Sequence, residues 1–185
     1  MIKDLENINP SNNNGWTPMH SAAQKGHLKV CELMMKGLKN TNPGSNNGWT
    51  PMLSAVLNGH LKVSELLIKS IQDKNPSTNN GNTPLHIAAF RGDLKILELI
   101  MDNLDDKNPG DNNGLTPLHK AAENGHLENC ELIMNILEDK NPGDIDGLTF
   151  ASRWLHNRCF EGTNVEIIKQ DFLTSYRSKI VMKLK

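Results

Sequence analysis

The sequence has few aromatic residues, three scattered cysteines and no long apolar run. Aromatic side chains make up 4% of the 185 residues, so an exposed one is a candidate contact for a partner. Cys31, Cys130 and Cys159 lie far apart, which argues against a disulfide framework and fits a reducing compartment. No apolar stretch approaches the ~20 residues that a membrane-spanning helix needs, and the N-terminus lacks the apolar core of a signal peptide. We therefore expect an intracellular protein, cytoplasmic or nuclear, without membrane insertion.

The sequence also lacks an excess of either charge. It carries 20 basic and 21 acidic side chains, for a formal net charge of −1. Proteins that bind nucleic acid or anionic membranes through general electrostatics usually show a basic excess. The charge balance therefore argues against a nucleic-acid-binding protein.

What the sequence does contain is a pattern that recurs every 33 residues. The stretch Asn12–His20 reads NNNGWTPMH, and it returns as NNGWTPML, NNGNTPLH and NNGLTPLH. The threonines that mark this period are Thr17, Thr50, Thr83, Thr116 and Thr149. A fixed period of this length is typical of repeat proteins that stack one small unit on the next.

Each unit can be interpreted from local chemistry. Asn-Asn-Gly favours a turn, because Asn and Gly tolerate positive φ. Thr-Pro predicts a helix start, with the threonine hydroxyl capping free N–H groups and proline at the first helical position. A second glycine, as at Gly26, predicts the end of this short helix. Apolar residues at i, i+3, i+4 and i+8 (Val30, Leu33, Met34 and Leu38 in the first unit) then predict one face of a longer helix.

Thr-Pro-Leu-His at 83–86 and 116–119, Gly-His-Leu at 26–28 and the 33-residue period together resemble ankyrin repeats. The resemblance implies an all-α fold, a solenoid of stacked helix-turn-helix units joined by hairpin-like loops. We place four repeats within residues 10–148, at about 10–42, 43–75, 76–108 and 109–141. The stretch 70–75 departs from the family's usual Gly-Ala-Asp-Val-Asn. Because Ile71 continues the apolar face, this departure predicts a second helix that is about a turn longer.

The two ends of the chain depart from the repeat. Residues 1–9 resemble the tail of a preceding second helix, so either the first repeat caps the stack or further repeats precede it in a longer protein. Residues 142–185 are predicted to form a divergent C-terminal capping repeat and a basic tail. The four cations of that tail belong either to a solvated end or to a docking segment for an acidic partner. They are Arg177, Lys179, Lys183 and Lys185.

The sequence gives no indication of catalysis or of a metal site. The histidines of the repeats occupy two equivalent positions: His20, His86 and His119, and His27, His60 and His126. Equivalent side chains on packed helices lie ~8–10 Å apart, too far to share a zinc ion with ligands at ~2.0–2.3 Å. We expect them to hydrogen-bond to backbone at the turns. Cys31 and Cys130 each precede a glutamate, which raises a thiol pKa. No phosphate loop, Cys-x-x-Cys or nucleophile elbow occurs, so we expect no enzyme, no cofactor and no metal.

The resemblance implies that a partner meets a concave face formed by finger tips and first helices. Positions on that face differ between the units, whereas scaffold positions barely change. The predicted partner-binding residues are Trp16, Trp49, Leu57, Asn82, Ile87, Phe90, Arg91, Leu115, Lys120, Glu123 and Asn124. An alternative for Trp16 and Trp49 is packing on the next finger. For Phe90 we favour contact with a partner, because Gln24 and Glu123 hold equivalent sites in the first and fourth units.

Three functions fit the sequence. The first is a monomeric, non-catalytic protein–protein interaction module that binds a partner protein or peptide on the concave face. The alternative is a structural or targeting segment, a spacer or effector, of a larger multi-repeat protein. The third is a substrate of an asparagine hydroxylase, because the resemblance places four asparagines at the site that is modified in some members. They are Asn42, Asn75, Asn108 and Asn141.

Overall fold

The computed structural model describes residues 9–137, in which eight α-helices form four pairs and no β-strand occurs. The helices are α1 (Pro18–Gln24), α2 (Leu28–Met35), α3 (Pro51–Leu57), α4 (Leu61–Ser70), α5 (Pro84–Arg91), α6 (Leu94–Met101), α7 (Pro117–Glu123) and α8 (Leu127–Ile136). We call each pair, with the turn before it, repeats 1 to 4. The predicted all-α repeat stack is confirmed. The predicted C-terminal cap and basic tail, Asn141 and Cys159 lie outside the described residues, and the repeat boundaries stay predictions.

Each first helix begins at the predicted Thr-Pro pair. Thr17, Thr50, Thr83 and Thr116 are N-caps with extended backbone, and a proline follows each as the first helical residue. In α3, the Thr50 hydroxyl accepts a hydrogen bond from the Leu53 N–H at 3.3 Å. A cap of this kind satisfies one of the N–H groups that have no partner inside the helix.

Each first helix ends at the predicted second glycine. Gly26, Gly59, Gly92 and Gly125 have φ values of 71°, 75°, 74° and 72°. This left-handed backbone strains any residue with a β-carbon, so glycine is the residue that stops the helix and turns the chain towards the second helix.

The core lies between two rows of helices. The first helices α1, α3, α5 and α7 pack on each other in order, and the second helices α2, α4, α6 and α8 do the same. One repeated position supplies fully buried side chains at the centre of the first row, namely Met19, Met52, Leu85 and Leu118. The predicted small residues Ala22, Ala23, Ala88 and Ala89 are also buried, which allows close approach of the neighbouring helices.

The second helices follow the predicted apolar pattern in the inner repeats but not in repeat 1. Val63 and Ile96 are 1% and 0% exposed, whereas their equivalent Val30 is 45% exposed. Repeat 1 has no preceding repeat among the described residues, so nothing described covers this side of α2. The predicted extension of a second helix through Ile71 does not occur, because α4 ends at Ser70 and Ile71 follows with extended backbone. Ile71 is still buried, so the apolar face continues beyond the helix.

The turns between repeats form four fingers, which we define as residues 12–16, 45–49, 78–82 and 111–115. In the second finger, the Ser45 N–H donates to the Trp49 carbonyl at 2.7 Å and the Gly48 N–H donates to the Ser45 carbonyl at 2.9 Å. The other fingers have equivalent bonds. Each finger is therefore a closed turn that projects from the helix pairs.

An asparagine joins each finger to the one before it. The Asn46 N–H donates to the Asn14 carbonyl at 3.0 Å, and Asn46 Nδ2 donates to the Asn13 carbonyl at 2.9 Å. Asn79 and Asn112 repeat both bonds one and two units later. We call Asn46, Asn79 and Asn112 the asparagine ladder. The sequence interpretation treated these residues only as turn formers and missed this connection.

Candidate interaction surface

The finger face, made of the four fingers and the first helices, contains a cleft between repeats 2 and 3. The volume of this cleft is about 600 Å³. The predicted partner-binding residues that line it are Trp49, Leu57, Asn82, Ile87, Phe90 and Lys120. The fold therefore gathers more than half of the predicted set around one concavity.

In the apolar part of the cleft, three side chains are buried or half-buried and one aromatic ring is exposed. Ile87 is only 6% exposed, and Trp49 and Leu57 are half-buried and pack against the core. The Phe90 side chain is 50% exposed at the end of α5. Trp49 thus has a packing role and also faces the cleft, whereas Phe90 leaves half of its surface free.

The polar part of the cleft is made largely of amides. Asn47, Asn80 and Asn82 line it, and their side-chain amides form no hydrogen bond with any residue of 9–137. An amide can both donate and accept. These groups are therefore available to the main chain of a bound peptide.

Lys120 lines the cleft as half of an ion pair. Its Nζ lies 3.0 Å from Oδ2 of Asp111, whose side chain is 3% exposed. Burial raises the pKa of the Asp111 carboxyl, but the hydrogen bonds from Lys120 and from the N–H groups of Asn113 and Leu115 outweigh it, and the pKa is lowered. The ammonium group of Lys120 at the cleft is therefore already paired with a carboxylate.

Arg91, predicted to contact a partner, also has a structural contact within the stack. Arg91 Nη1 donates a hydrogen bond to the Leu57 carbonyl of the preceding repeat. The guanidinium lies so close to Gly59 that a β-carbon there would be 2.9 Å from Nη2. The side chain is exposed, but replacing it removes a link between repeats, so it is a poor probe of partner binding.

The other predicted contact residues lie outside the cleft. Trp16 donates from Nε1 to the Ser21 hydroxyl at 3.2 Å and its ring contacts His20, with centroids 4.5 Å apart. Leu115 is partly buried, Glu123 is exposed, and the exposed Asn124 donates from its amide to the Lys120 carbonyl. Trp16 thus contacts residues of its own repeat, and it lines a separate groove of about 750 Å³ at the N-terminal side of the stack.

The histidines connect repeats through backbone carbonyls. His20 accepts at Nδ1 from the Thr17 N–H at 3.1 Å, so the proton is on Nε2, which donates to the Trp49 carbonyl at 2.9 Å. His86 makes the same bonds with Thr83 and Leu115. Burial lowers the pKa of both imidazoles against the opposing effect of those carbonyls, which keeps them neutral.

The histidines of the second set bond to carbonyls of the preceding repeat. His60 Nε2 donates to the Gln24 carbonyl at 2.9 Å, and His126 Nε2 donates to the Phe90 carbonyl at 3.0 Å. These bonds confirm, for His20, His60, His86 and His126, the expectation that the histidines bind backbone at the turns. No group of three or more metal-ligating side chains occurs in residues 9–137.

The cysteines have the raised pKa values that the sequence predicts. Burial, followed by the charge of Glu131, raises the pKa of Cys130 to about 12, and burial is also the main cause that raises the pKa of Cys31. A thiol held in its protonated form is a poor nucleophile. No described helix is long and apolar enough to cross a membrane.

The hydroxylation hypothesis concerns a row of asparagines at the base of the fingers. Asn42 Oδ1 accepts from the Met52 N–H at 2.9 Å, and Asn9 Oδ1 accepts from the Met19 N–H in the same way. The Oδ1 atoms of Asn75 and Asn108 are buried and have no hydrogen-bond partner within residues 9–137. The amide therefore supports the start of a first helix in repeats 1 and 2, and modification by a hydroxylase stays a prediction.

Comparison with known proteins agrees with this architecture. A family model described as ankyrin repeats in three copies matches residues 1–78 and 69–144, more than half of the chain. A search of curated proteins gives no match. Ankyrin repeats are generally protein–protein interaction modules and generally non-catalytic. The helix pairs, the capping threonines, the turn glycines and the family model lead to one conclusion: the chain belongs to the ankyrin-repeat family.

Proposed function

We propose that the protein binds a partner protein or peptide on the finger face, with the cleft between repeats 2 and 3 as the centre of the site. The observation that carries this proposal is Phe90, a half-exposed aromatic ring beside an apolar cleft. Large aromatic side chains near the centre of an interface contribute most to affinity. Free amides around the cleft add hydrogen-bonding groups of neutral charge.

The rigidity of the finger face supports the same proposal. The asparagine ladder holds each finger to its neighbour, and histidine or arginine side chains bridge the first helices. A surface that is fixed before binding loses little conformational entropy on association. In the closed stack the cleft is thus preorganised for an extended segment that lies across repeats 2 and 3.

The test compares two exposed apolar residues on different sides of the stack. Phe90→Ala removes the ring from the finger face, and Leu33→Ala removes an equally exposed side chain (58% against 50%) from α2. Arg91 is left intact because it links repeats. We expect a partner captured by the native protein to bind Phe90→Ala at least ~10-fold more weakly and Leu33→Ala unchanged, by titration with the purified partner. If Leu33→Ala weakened binding and Phe90→Ala did not, the site would lie on the second helices.

A second candidate function is a segment of a longer stack, and the N-terminal side of repeat 1 favours it. The ladder asparagines and His60 each bond to the preceding repeat, but their equivalents Asn13 and His27 have no side-chain hydrogen bond within residues 9–137. Val30 and Pro18 are exposed where their equivalents in repeats 2 and 3 are buried. This side of repeat 1 therefore presents the groups of an interior repeat.

This candidate is tested by adding a repeat. A copy of residues 43–75 in place of residues 1–9 keeps the Asn-Pro register and sets a complete helix pair against α2. We expect a higher thermal midpoint and slower amide exchange in α2, because Val30 becomes buried. An unchanged midpoint, with α2 exchanging as before, would show that this side of repeat 1 does not accept a neighbour.

A further inference from the structure

The junctions between repeats differ in their side-chain bridges. At junction 1–2, His20 reaches forward to the Trp49 carbonyl and His60 reaches back to the Gln24 carbonyl. At junction 3–4, His86 and His126 do the same with the carbonyls of Leu115 and Phe90. Each of these two junctions therefore has one histidine bridge in each direction.

Junction 2–3 has neither histidine. Leu53 occupies the position of the forward histidine, and Asp93 occupies the position of the backward histidine. The Leu57 carbonyl, which the backward histidine would bond, accepts instead from Arg91. The described bridges across this junction are therefore one guanidinium hydrogen bond and the Asn79 rung of the ladder.

One of the two replacements adds a bond within its own repeat. Leu53 is fully buried, as the histidines at its position are, but α3 lacks the capping box that those histidines form with their threonines. Asp93 is the N-cap of α6, with Oδ1 accepting from the Ile96 N–H at 3.1 Å, whereas His27, His60 and His126 provide no side-chain cap. In a repeat protein, stability is the sum of the repeats' own stability and the coupling between neighbours. The loss of both histidine bridges reduces the coupling at junction 2–3, and the Asp93 cap adds to the stability of repeat 3 itself.

The packing at this junction differs between the two rows of helices. The first helices α3 and α5 touch each other less extensively than α1 and α3 or α5 and α7, whereas the second helices α4 and α6 touch more extensively than α2 and α4 or α6 and α8. The cleft of about 600 Å³ lies on the side of the first helices, with residues of both repeats on its walls. The junction thus combines fewer directed bridges with a smaller contact between the first helices.

We propose that junction 2–3 is a separable joint, at which the stack opens into a repeat 1–2 half and a repeat 3–4 half without unfolding either. Opening breaks the Arg91 bridge and the Asn79 rung, and it widens the cleft. A histidine-bridged junction opens less often because at least four hydrogen bonds must break together, against three at junction 2–3.

The asparagine ladder supplies one reporter for each junction. The backbone N–H groups of Asn46, Asn79 and Asn112 each bond across one junction, to the carbonyls of Asn14, Asn47 and Asn80. Native-state hydrogen exchange of the whole chain, read by NMR, follows these amides separately. We expect the Asn79 amide to exchange at least ~10-fold faster than those of Asn46 and Asn112. Fraying from the ends of the stack gives the opposite order, with the central Asn79 slowest, and that order would overturn the proposal.

Exchanging the bridges between junctions gives matched variants. Leu53→His with Arg91→Asn and Asp93→His places the histidine bridges at junction 2–3, and we expect it to slow Asn79 exchange ~10-fold and leave Asn46 unchanged. His20→Leu with Asn58→Arg and His60→Asp places the repeat 3 arrangement at junction 1–2, and we expect Asn46 to become the fast amide. Each residue introduced already occurs in a neighbouring repeat. If neither exchange moves the fast amide, bridging chemistry does not control the joint and the proposal is wrong.

Discussion

Junctions 1–2 and 2–3 join the same kind of helix pair by different chemistry. At junction 1–2 two imidazoles reach carbonyls of the neighbouring repeat. At junction 2–3 a single flexible cation reaches one carbonyl. An imidazole has two side-chain torsions and a rigid ring, so it fixes the distance between two repeats more tightly than an arginine does. The repeats therefore tolerate the loss of a histidine when another side chain reaches the same acceptor, but the joint becomes looser.

The largest expected loss of stability comes from adding a β-carbon at the glycines that lie against the bridging side chains. At Gly26 a β-carbon would lie 2.5 Å from Nδ1 of His60, at Gly59 it would lie 2.9 Å from Nη2 of Arg91, and at Gly125 no atom of residues 9–137 lies within 4 Å. All three glycines have positive φ, which strains alanine by about 1–2 kcal/mol. Displacing the packed His60 ring adds about 1–3 kcal/mol.

We therefore expect the loss of unfolding free energy to decrease in the order Gly26→Ala, Gly59→Ala, Gly125→Ala. The Arg91 guanidinium is the far end of a flexible side chain and can move aside. Urea unfolding at neutral pH measures the series. Equal losses at Gly26 and Gly59 would mean that the two bridges are equally rigid.

Arg91→Ala tests the bridge at junction 2–3 directly. Its loss leaves the Leu57 carbonyl without that donor, and we expect a decrease of about 1 kcal/mol in unfolding free energy. Lys95→Ala on the exposed side of α6 serves as the control for loss of a cation in the same repeat. Indistinguishable midpoints for the two variants would show that the guanidinium bond contributes nothing.

Acid should weaken the histidine-bridged junctions. The pKa values of His20 and His86 are lowered below 6.5 in the folded protein, so the unfolded chain takes up protons first as the pH falls. Their contribution to stability is complete above pH 6.5 and is lost as the pH falls below that value through the folded pKa. We expect a lower urea midpoint at about pH 5.5 than at about pH 7.5.

The control for this pH effect is His20→Leu, which copies the leucine that repeat 2 already has at the equivalent position. This variant should reduce the change in midpoint between the two pH values. A change as large as that of the native protein would assign the acid effect to other groups.

The smallest loss of stability is expected when the side-chain hydrogen bond of a single ladder asparagine is removed. Asn79→Asp keeps the shape of the side chain but removes the Nδ2 donor to the Asn46 carbonyl. An exposed hydrogen bond of this kind contributes about 0.5–1 kcal/mol. Asn46→Asp removes the same bond at junction 1–2, where both histidines remain. Faster exchange in α5 for the first variant than in α3 for the second would show that junction 2–3 depends more on its rung.

The sequence predicted those parts of the fold that depend on residues close together in the chain. Thr50, Pro51 and Gly59 act within one helix, so their chemistry gives the helix start and end without knowledge of neighbours. Val30 differs because its burial depends on a preceding repeat, which its own sequence pattern does not show. The end of α4 before Ile71 was also missed, since an apolar period does not distinguish a helix from an extended residue that packs on the same core.

The candidate site was predicted in part for the same reason. Residues that line the cleft could be named because they vary from one repeat to the next. Arg91 also varies, but its bond to Leu57 spans repeats and depends on the loss of a histidine two residues later at Asp93. The sequence signal for this bond was that Arg91 and Asp93 both differ from the residues at the equivalent positions of repeats 2 and 4. The invariant asparagine at 13, 46, 79 and 112 was the corresponding signal for the ladder.

The asparagine ladder sets the spacing of the fingers along the finger face. Its backbone bonds measure 3.0, 3.1 and 3.1 Å from one finger to the next, although the residue after each turn glycine is tryptophan, asparagine or leucine. None of those residues supplies an atom to a rung. The spacing of the finger tips is thus independent of the side chains that they display, and one residue per repeat can be exchanged to suit a different partner while the distances between contact points stay the same.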